Sequence, residues 1–407
     1  MAQDFTSMPE ANETAGAAWR HAPIAGVMLL VLLISTQFPS VLAFTVPVPL
    51  LHAIAGDLAH GTGSDYLVKL ISGILGPAMA LGAPIGGLLA DRFDRRWVLV
   101  GFGLVFALSG TAPMVLDNLE VIVAMRFLTG FSAAALMATG LAMVGDYLPE
   151  AKRAGTIGLL SALNMGFSLL ILPAVGFLGD GGWRLPFAFY LIGMVGVVLA
   201  ALQSLPAPVK APPPPRAATA PKAIGWLPNL PWGLILLAFA AGCLLTILAI
   251  YVSFHLASIG LGKMSTIGLM MMINSGVATV FSAIYGRARQ RISSGTVFVI
   301  GFAAMAIGNA LLAVAGSLPV VIVAMLFNGV GMGWVTPNVL ALAVDSVEEG
   351  ERGKVVGAIH GTMSVAPLIG LTVLEPAMPL LGTKGVFLLL ASLATICLAY
   401  FIVRRKA

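Results

Sequence analysis

Apolar residues run down this chain in blocks of about twenty, with few internal charges and separated by short polar breaks. A run of that length is what one helix needs to cross the hydrocarbon core of a bilayer. The blocks fall near residues 22–48, 66–90, 97–116, 119–145, 154–178, 185–205, 231–257, 264–285, 295–315, 318–344, 354–377 and 385–403. They predict twelve transmembrane helices, numbered here span 1 to span 12, and an all-α integral membrane protein. Span 1 is uncharged from His21 to Gly56, longer than one upright helix requires, so Pro39, Pro47 and Pro49 are expected to bend or end it. The polar stretch 1–19 carries acids where a signal peptide has positive charge, and cleavage is not expected.

Composition agrees with this reading: 59% of residues are hydrophobic and 10% charged, against roughly a quarter charged in soluble domains. The position of each charge then matters more than the net +5. With a cytoplasmic N-terminus, seventeen Lys and Arg fall in inside segments. Four, Lys69, Arg184, Lys263 and Lys384, fall at outside boundaries, and Arg126 is left inside span 4. Short basic loops resist translocation, so both termini are expected in the cytoplasm, with the protein in the cell inner membrane. The basic charge therefore implies no nucleic acid. Cys243 and Cys397 both lie in apolar blocks, which argues against disulfides or a thiolate metal site. The five histidines lack metal-ligand spacing and no phosphate-cradling Gly-Lys-Ser/Thr loop is present, so neither a metal, a cofactor nor enzymatic chemistry is expected.

Nine prolines in 206–231 mark a semi-rigid linker that cannot pack a core. The expected organisation is a cytoplasmic tail 1–21, a six-helix bundle 22–205, a Pro-rich cytoplasmic linker 206–230, a second six-helix bundle 231–403 and a tail 404–407. One offset of 199 residues superposes Gly87 on Gly286, Arg92 on Arg291, Gly130 on Gly329, Asp146 on Asp345, Arg153 on Arg352 and Gly158 on Gly357. The two bundles thus read as a pseudo-symmetric repeat, a construction that places the substrate site of many transporters at the repeat interface.

Between spans 2 and 3 stands Gly87-Leu-Leu-Ala-Asp91-Arg92-Phe-Asp94-Arg95-Arg96. Gly87 permits close helix approach, Asp91 suits a neighbouring helix N-terminus, and the arginines suit an acidic inner leaflet. The segment resembles the cytoplasmic signature loop of the major facilitator superfamily, G-x-x-x-D-[RK]-x-G-R-[RK], with Asp94 in place of the second Gly. Arg126-Phe-Leu-Thr-Gly130-Phe-Ser-Ala-Ala134 in span 4 resembles that family's R-x-x-x-G-x-x-[GA]-[GA] motif. Pro173-Ala-Val-Gly176 in span 5 and the following Trp183-Arg184-Leu-Pro186-Phe187 are similar, in part, to segments of its drug:proton antiporters. Thr45-Val-Pro47-Val-Pro49 with Asp57 is similar to the end of span 1 in drug and metabolite efflux members. Asp146 through Gly155, and Asp345 through Gly353 with Arg352, resemble the family's loops after spans 4 and 10. The resemblance covers about residues 22–403. It implies the twelve-helix fold, alternating access by rocking halves, and a cytoplasmic latch formed by the signature loop. It does not specify a substrate.

Polar residues inside the spans are concentrated in spans 1, 4, 5, 7, 8, 10 and 11. They include Gln37, Arg126, Asn164, Ser168, Tyr251, His255, Asn274, Asn328, Thr336, Asn338, His360, Ser364 and Glu375. Spans 3, 6 and 12 are almost entirely small and apolar, and span 9 adds Asn309, which suits a lipid-facing periphery. An apolar cavity with scattered hydrogen-bond partners fits a small amphipathic organic solute. Arg126 has three readings: an anion contact, a bias on a nearby proton site, or a donor to bundle carbonyls. Glu375 is a carboxylate inside a span and away from its cytoplasmic end, and helical geometry puts it within about 20° of Ser364 and 60° of His360. It is the candidate for proton coupling. The function expected is efflux of an amphipathic drug or metabolite in exchange for protons, by a monomer whose partners are the solute, protons and the bilayer. Uptake of an organic anion through Arg126 and a non-transporting scaffold are the alternatives.

Overall fold

The computed structural model describes residues 23–61, 63–202, 232–347 and 352–406, so the linker 206–230 and the tail 1–21 lie outside the described residues. Among those residues the chain is all-helical. Span 1 is Pro23–Thr45, followed by a 3-10 turn Val48–Leu50 and a short helix Leu51–Leu58; the helix ends where Pro47 and Pro49 remove donors and restarts beyond them. Span 2 is Ser64–Gly73 continued by Leu75–Arg92, span 3 Arg95–Thr111, span 4 Leu119–Tyr147 and span 5 Glu150–Gly179. Span 6 is the 3-10 helix Leu185–Leu191 and then Ile192–Leu202. Spans 7 to 10 are Trp232–Ser258, Met264–Arg289, Ser294–Val314 and Leu318–Asp345.

The last apolar stretch, Val355–Val403, is continuous over 49 residues. As a single helix it would extend roughly 70 Å, more than twice the hydrocarbon thickness. A 3-10 turn Glu375–Ala377 and Gly382, at φ 59 and ψ −176, break it. Span 11, Arg352–Leu374, and span 12, Met378–Lys406, are therefore separate crossings.

Helix starts follow from local chemistry. Asp94 accepts from the Arg96 amide at 2.9 Å and caps span 3, so the residue standing where the signature has Gly acts as an N-cap. Asn118 caps span 4 and Ser293 caps span 9 in the same way. Packing inside the first half depends on small residues: Ala78, Gly82, Gly86 and Ala90 of span 2 are buried at every fourth position. A Cβ on Gly82 would meet the Phe131 carbonyl of span 4 at 2.1 Å, and one on Gly86 would meet Ala135 Cα at 2.4 Å. With no hydrophobic drive between helices in lipid, such close backbone contact supplies the attraction. In the second half Gly329 and Gly333 of span 10 lie equally close to span 8.

The pairings repeat with a step of six. Span 2 packs on 4 as 8 packs on 10, 3 on 4 as 9 on 10, 3 on 6 as 9 on 12, and 1 on 6 as 7 on 12. Spans 3, 6, 9 and 12 pack within their own half. Two long seams join residues 23–202 to residues 232–406: span 5 against span 8, and span 2 against span 11. The end of the molecule carrying the turns at 93–94, 148–149 and 290–293, with Arg92, Arg95, Arg96, Arg153, Arg289 and Arg291, is called the basic end below. The opposite end is called the far end.

Candidate functional site

Both seams close toward the far end and part toward the basic end. Along span 5, a Cβ on Gly176 would meet the Met264 carbonyl of span 8 at 2.5 Å, whereas Gly158, five helical turns back on the same face, has nothing within 4 Å. Along span 8, a Cβ on Gly268 would meet the Leu172 carbonyl at 2.4 Å, and Gly286, again five turns away, is open. Along span 2, Gly76 abuts the Ser364 carbonyl of span 11 while Gly87 is open; along span 11, Gly357, two turns before Ser364, is open as well. The repeat pairs Gly87 with Gly286 and Gly158 with Gly357 therefore line the same V-shaped gap.

Polar contacts between the halves obey the same division. Among the described residues, every hydrogen bond or ion pair joining them lies in the far half. The Lys69 ammonium holds both oxygens of Glu375, at 2.7 and 2.9 Å, and Tyr66 Oη lies 2.8 Å from Thr372 Oγ1. His52 Nδ1 lies 3.0 Å from Ser253 Oγ, and the Ser265 amide donates to Asp180 at 3.2 Å. Asp180 ends span 5 and serves the first turn of span 8, so one half supplies a helix cap to the other. Lys69 is almost fully buried, its side chain 5% exposed against 23% for Glu375, and it also sits 5.3 Å from the Tyr251 ring centroid and 5.9 Å from that of Phe254.

The basic end holds contacts within halves. Arg95 pairs with Asp146 at 2.5 Å and reaches Asp91 at 3.7 Å. Asp91 is largely exposed, Arg96 donates to the Ala201 carbonyl, and Arg153 donates to the Leu148 carbonyl. Arg92 and Asp345 are exposed, and the Arg352 side chain falls outside the described set. The signature loop thus faces the open mouth of the gap without a partner from the second half among the described residues.

Arg126 is completely buried. Its guanidinium donates to Tyr190 Oη at 2.6 Å, to the Ile71 carbonyl at 3.3 Å and to the Ala43 carbonyl, and lies 5.3 Å from the Tyr190 ring centroid. Pro47 has no amide to offer Ala43, and span 2 is interrupted at Ile74, between Gly73 and Leu75. Arg126 supplies donors to backbone acceptors at a helix end and beside a helix break, while Tyr190 donates to the Leu42 carbonyl at 3.0 Å. Gly130, one turn along, packs against Leu75 and Ala78 of span 2.

The other polar candidates are dispersed. Gln37 is buried and donates to Thr36. His255 is buried beside Thr383 Oγ1 at 3.0 Å, edge-on to Phe387. Asn274 is buried, with its amide toward Met332 Sδ. Asn338 accepts from Tyr285 and Ser294 and donates to the Ser294 carbonyl. Asn164 lies on span 5, where most neighbouring positions on the basic side are exposed, and Phe167 beside it stacks on Phe38 with centroids 4.0 Å apart. His360, one turn before Ser364, is exposed in the gap. It is 15 residues from Glu375, and the structure pairs Glu375 with Lys69 rather than with the His360 stripe. Pro173 lies inside span 5, one turn from the Gly176 contact.

His52, Asp180, Tyr66 and Tyr190 are not among the candidates that the sequence offers, and Lys69 figures there only as a boundary charge. The signal available for Lys69 was a lone base just inside span 2, matching a lone acid at the corresponding depth of span 11.

The Major Facilitator Superfamily profile matches residues 33–278 and 257–407. The chain belongs to this superfamily and is a multi-pass membrane transporter. It is 30% identical over 157 residues to the quinolone resistance protein NorA of Staphylococcus aureus, covering 37% of this chain and 38% of that one. It is 29% identical over 120 residues to the putative metabolite transport protein YyaJ of Bacillus subtilis, covering 29% and 27%. The matched stretches thus span well under half of these relatives. Among solved structures, the nucleoside transporter NupG superposes with TM-score 0.75 at 14% identity, over 94% of this chain and all of that one. The inward-open xylose transporter XylE from E. coli superposes with TM-score 0.68 at 13% identity, over 92% and 95%.

Proposed function

We propose that this transporter exports a small amphipathic organic solute in exchange for protons, its two halves, 22–205 and 231–403, rocking about the central gap. The observation that carries the reading is the graded seam: glycines that touch the opposite half at the far end recur on the same helix faces, in open space, toward the basic end. Placing the basic end in the cytoplasm makes this the inward-open state. The solute enters between spans 2, 5, 8 and 11, past His360 and Asn164, against a mainly apolar wall. The local similarity to a quinolone resistance protein supports the efflux direction. Arg126, with no accessible surface, lends no support to anion uptake. Glu375 is the carboxylate assigned to coupling, since it bridges the seam that must part when the far end opens.

The test uses inside-out membrane vesicles loaded with a pH-sensitive dye under a respiration-driven proton gradient. Adding a transported amphipathic solute is expected to release protons from the lumen in vesicles containing the protein and not in controls. Solute accumulation without proton movement would remove the coupling, and solute extrusion from the vesicles would reverse the direction.

A further inference from the structure

The Lys69 ammonium occupies a site built by the other half. Its carboxylate partner Glu375 opens the 3-10 turn that follows span 11, and the two rings beside the ammonium, Tyr251 and Phe254, lie on span 7. One carboxylate with two aromatic faces around a desolvated ammonium is the chemistry by which proteins recognise organic cations. When the far end opens, Lys69 leaves with span 2, and the carboxylate and rings stay together on the second half.

We propose that Tyr251, Phe254 and Glu375 form an exit site for organic ammonium ions in the outward-open state, and that Lys69 is the tethered cation that displaces the solute as the seam closes. The idea rests on the efflux reading above and narrows its solute class to amines and quaternary ammonium compounds. It also gives export a direction: a solute cation reaching the far side exchanges its place for Lys69, and the closed seam then bars its return. Replacement by an internal cation needs no added charge in the site, because one ammonium substitutes for another.

The direct test measures equilibrium binding of tetramethylammonium to the purified full-length protein in detergent. Lys69→Ala is expected to bind it at least about tenfold more tightly than the unaltered protein, since the competitor is gone. Lys69→Ala/Glu375→Gln and Lys69→Ala/Phe254→Ala are expected to lose that gain. Equal binding by Lys69→Ala and the unaltered protein, or a gain that survives Glu375→Gln, overturns the proposal.

A second measurement uses the unaltered protein and does not depend on a variant folding. Saturating tetramethylammonium is expected to raise the rate at which an amine-reactive reagent modifies Lys69, read by peptide mass analysis, because an occupied cage holds Lys69 outside. An unchanged or slower rate overturns the proposal. Neither binding measurement requires transport, so a failure here is separate from a failure of proton-coupled export in vesicles.

Discussion

The two seams between the halves are related by the internal repeat, yet at one pair of equivalent positions they are closed by different means. Advancing Lys69 by the repeat offset gives Gly268, and moving Glu375 back by it gives Gly176. In the seam between spans 2 and 11 these positions hold an ion pair. In the seam between spans 5 and 8 they hold two glycines, with a Cβ on Gly268 reaching to 3.3 Å from Gly176 Cα. At these positions the first contact is ionic, the kind that is open to a change of partner, while Gly76 elsewhere in the same seam packs on the Ser364 carbonyl. The second is steric, permits no side chain, and is finished by the Asp180 cap on span 8. A duplicated architecture has thus placed the adjustable contact on one side and the fixed contact on the other.

The sharpest way to break this contrast is Gly268→Leu. The side chain would collide with the Leu172 carbonyl, and overpacking of that kind costs about 1–3 kcal/mol or more. The far end is expected to stay open, with solute transport falling at least about tenfold and the distance between spin labels on the far ends of spans 5 and 8 increasing. A label distance equal to that of the unaltered protein would end the steric account.

Arg126→Lys supplies a change that both seams should ignore. A lysine keeps the charge but loses the planar fork that reaches acceptors on spans 1, 2 and 6, leaving buried carbonyls without donors at a cost of about 1–3 kcal/mol. Thermal unfolding in detergent is expected several degrees lower, with far-end label distances unchanged. A shift in those distances at an unaltered melting temperature would reassign Arg126 to the moving parts.

Asp180→Ala removes the cap that crosses the fixed seam. Loss of a helix cap costs about 1 kcal/mol, so the open far end should gain roughly fivefold in population, visible as faster labelling of a cysteine introduced at Ser265 after Cys243 and Cys397 are replaced. Unchanged labelling would mean that the glycine contact alone sets closure there. Tyr66→Phe, which removes an exposed hydroxyl contact to Thr372 on the adjustable seam, should do least. Its effect on labelling is expected within about twofold, in line with surface substitutions near 0.5 kcal/mol.

Much of the architecture was legible in the sequence because membrane spans are written in continuous runs. The structure moves some edges: span 1 restarts at Leu51 beyond its prolines, span 5 begins at Glu150, and span 12 begins at Met378, ahead of a bend at Gly382. The repeat was legible too, since Gly87 and Gly286 share open surroundings and Gly130 and Gly329 both receive a neighbouring helix. The inter-half contacts were not. Lys69 reads as one more boundary charge because its partner lies 306 residues later, and charge counting records depth without azimuth. Asp180 reads as a loop acid, and only the approach of span 8 makes it a cap. Arg126 stood out by its cost in lipid, but its partners are carbonyls, invisible in any side-chain pattern.

The cage around Arg126 also bears on how the chain is made. Its acceptors at Ala43 and Ile71 precede it in the chain, whereas Tyr190 is the last of the set to be synthesised. A guanidinium entering the bilayer with span 4 finds part of its shell waiting and the rest still on the ribosome. The hydrogen bonding of Arg126 is therefore complete only once span 6 has been made and has packed beside span 4.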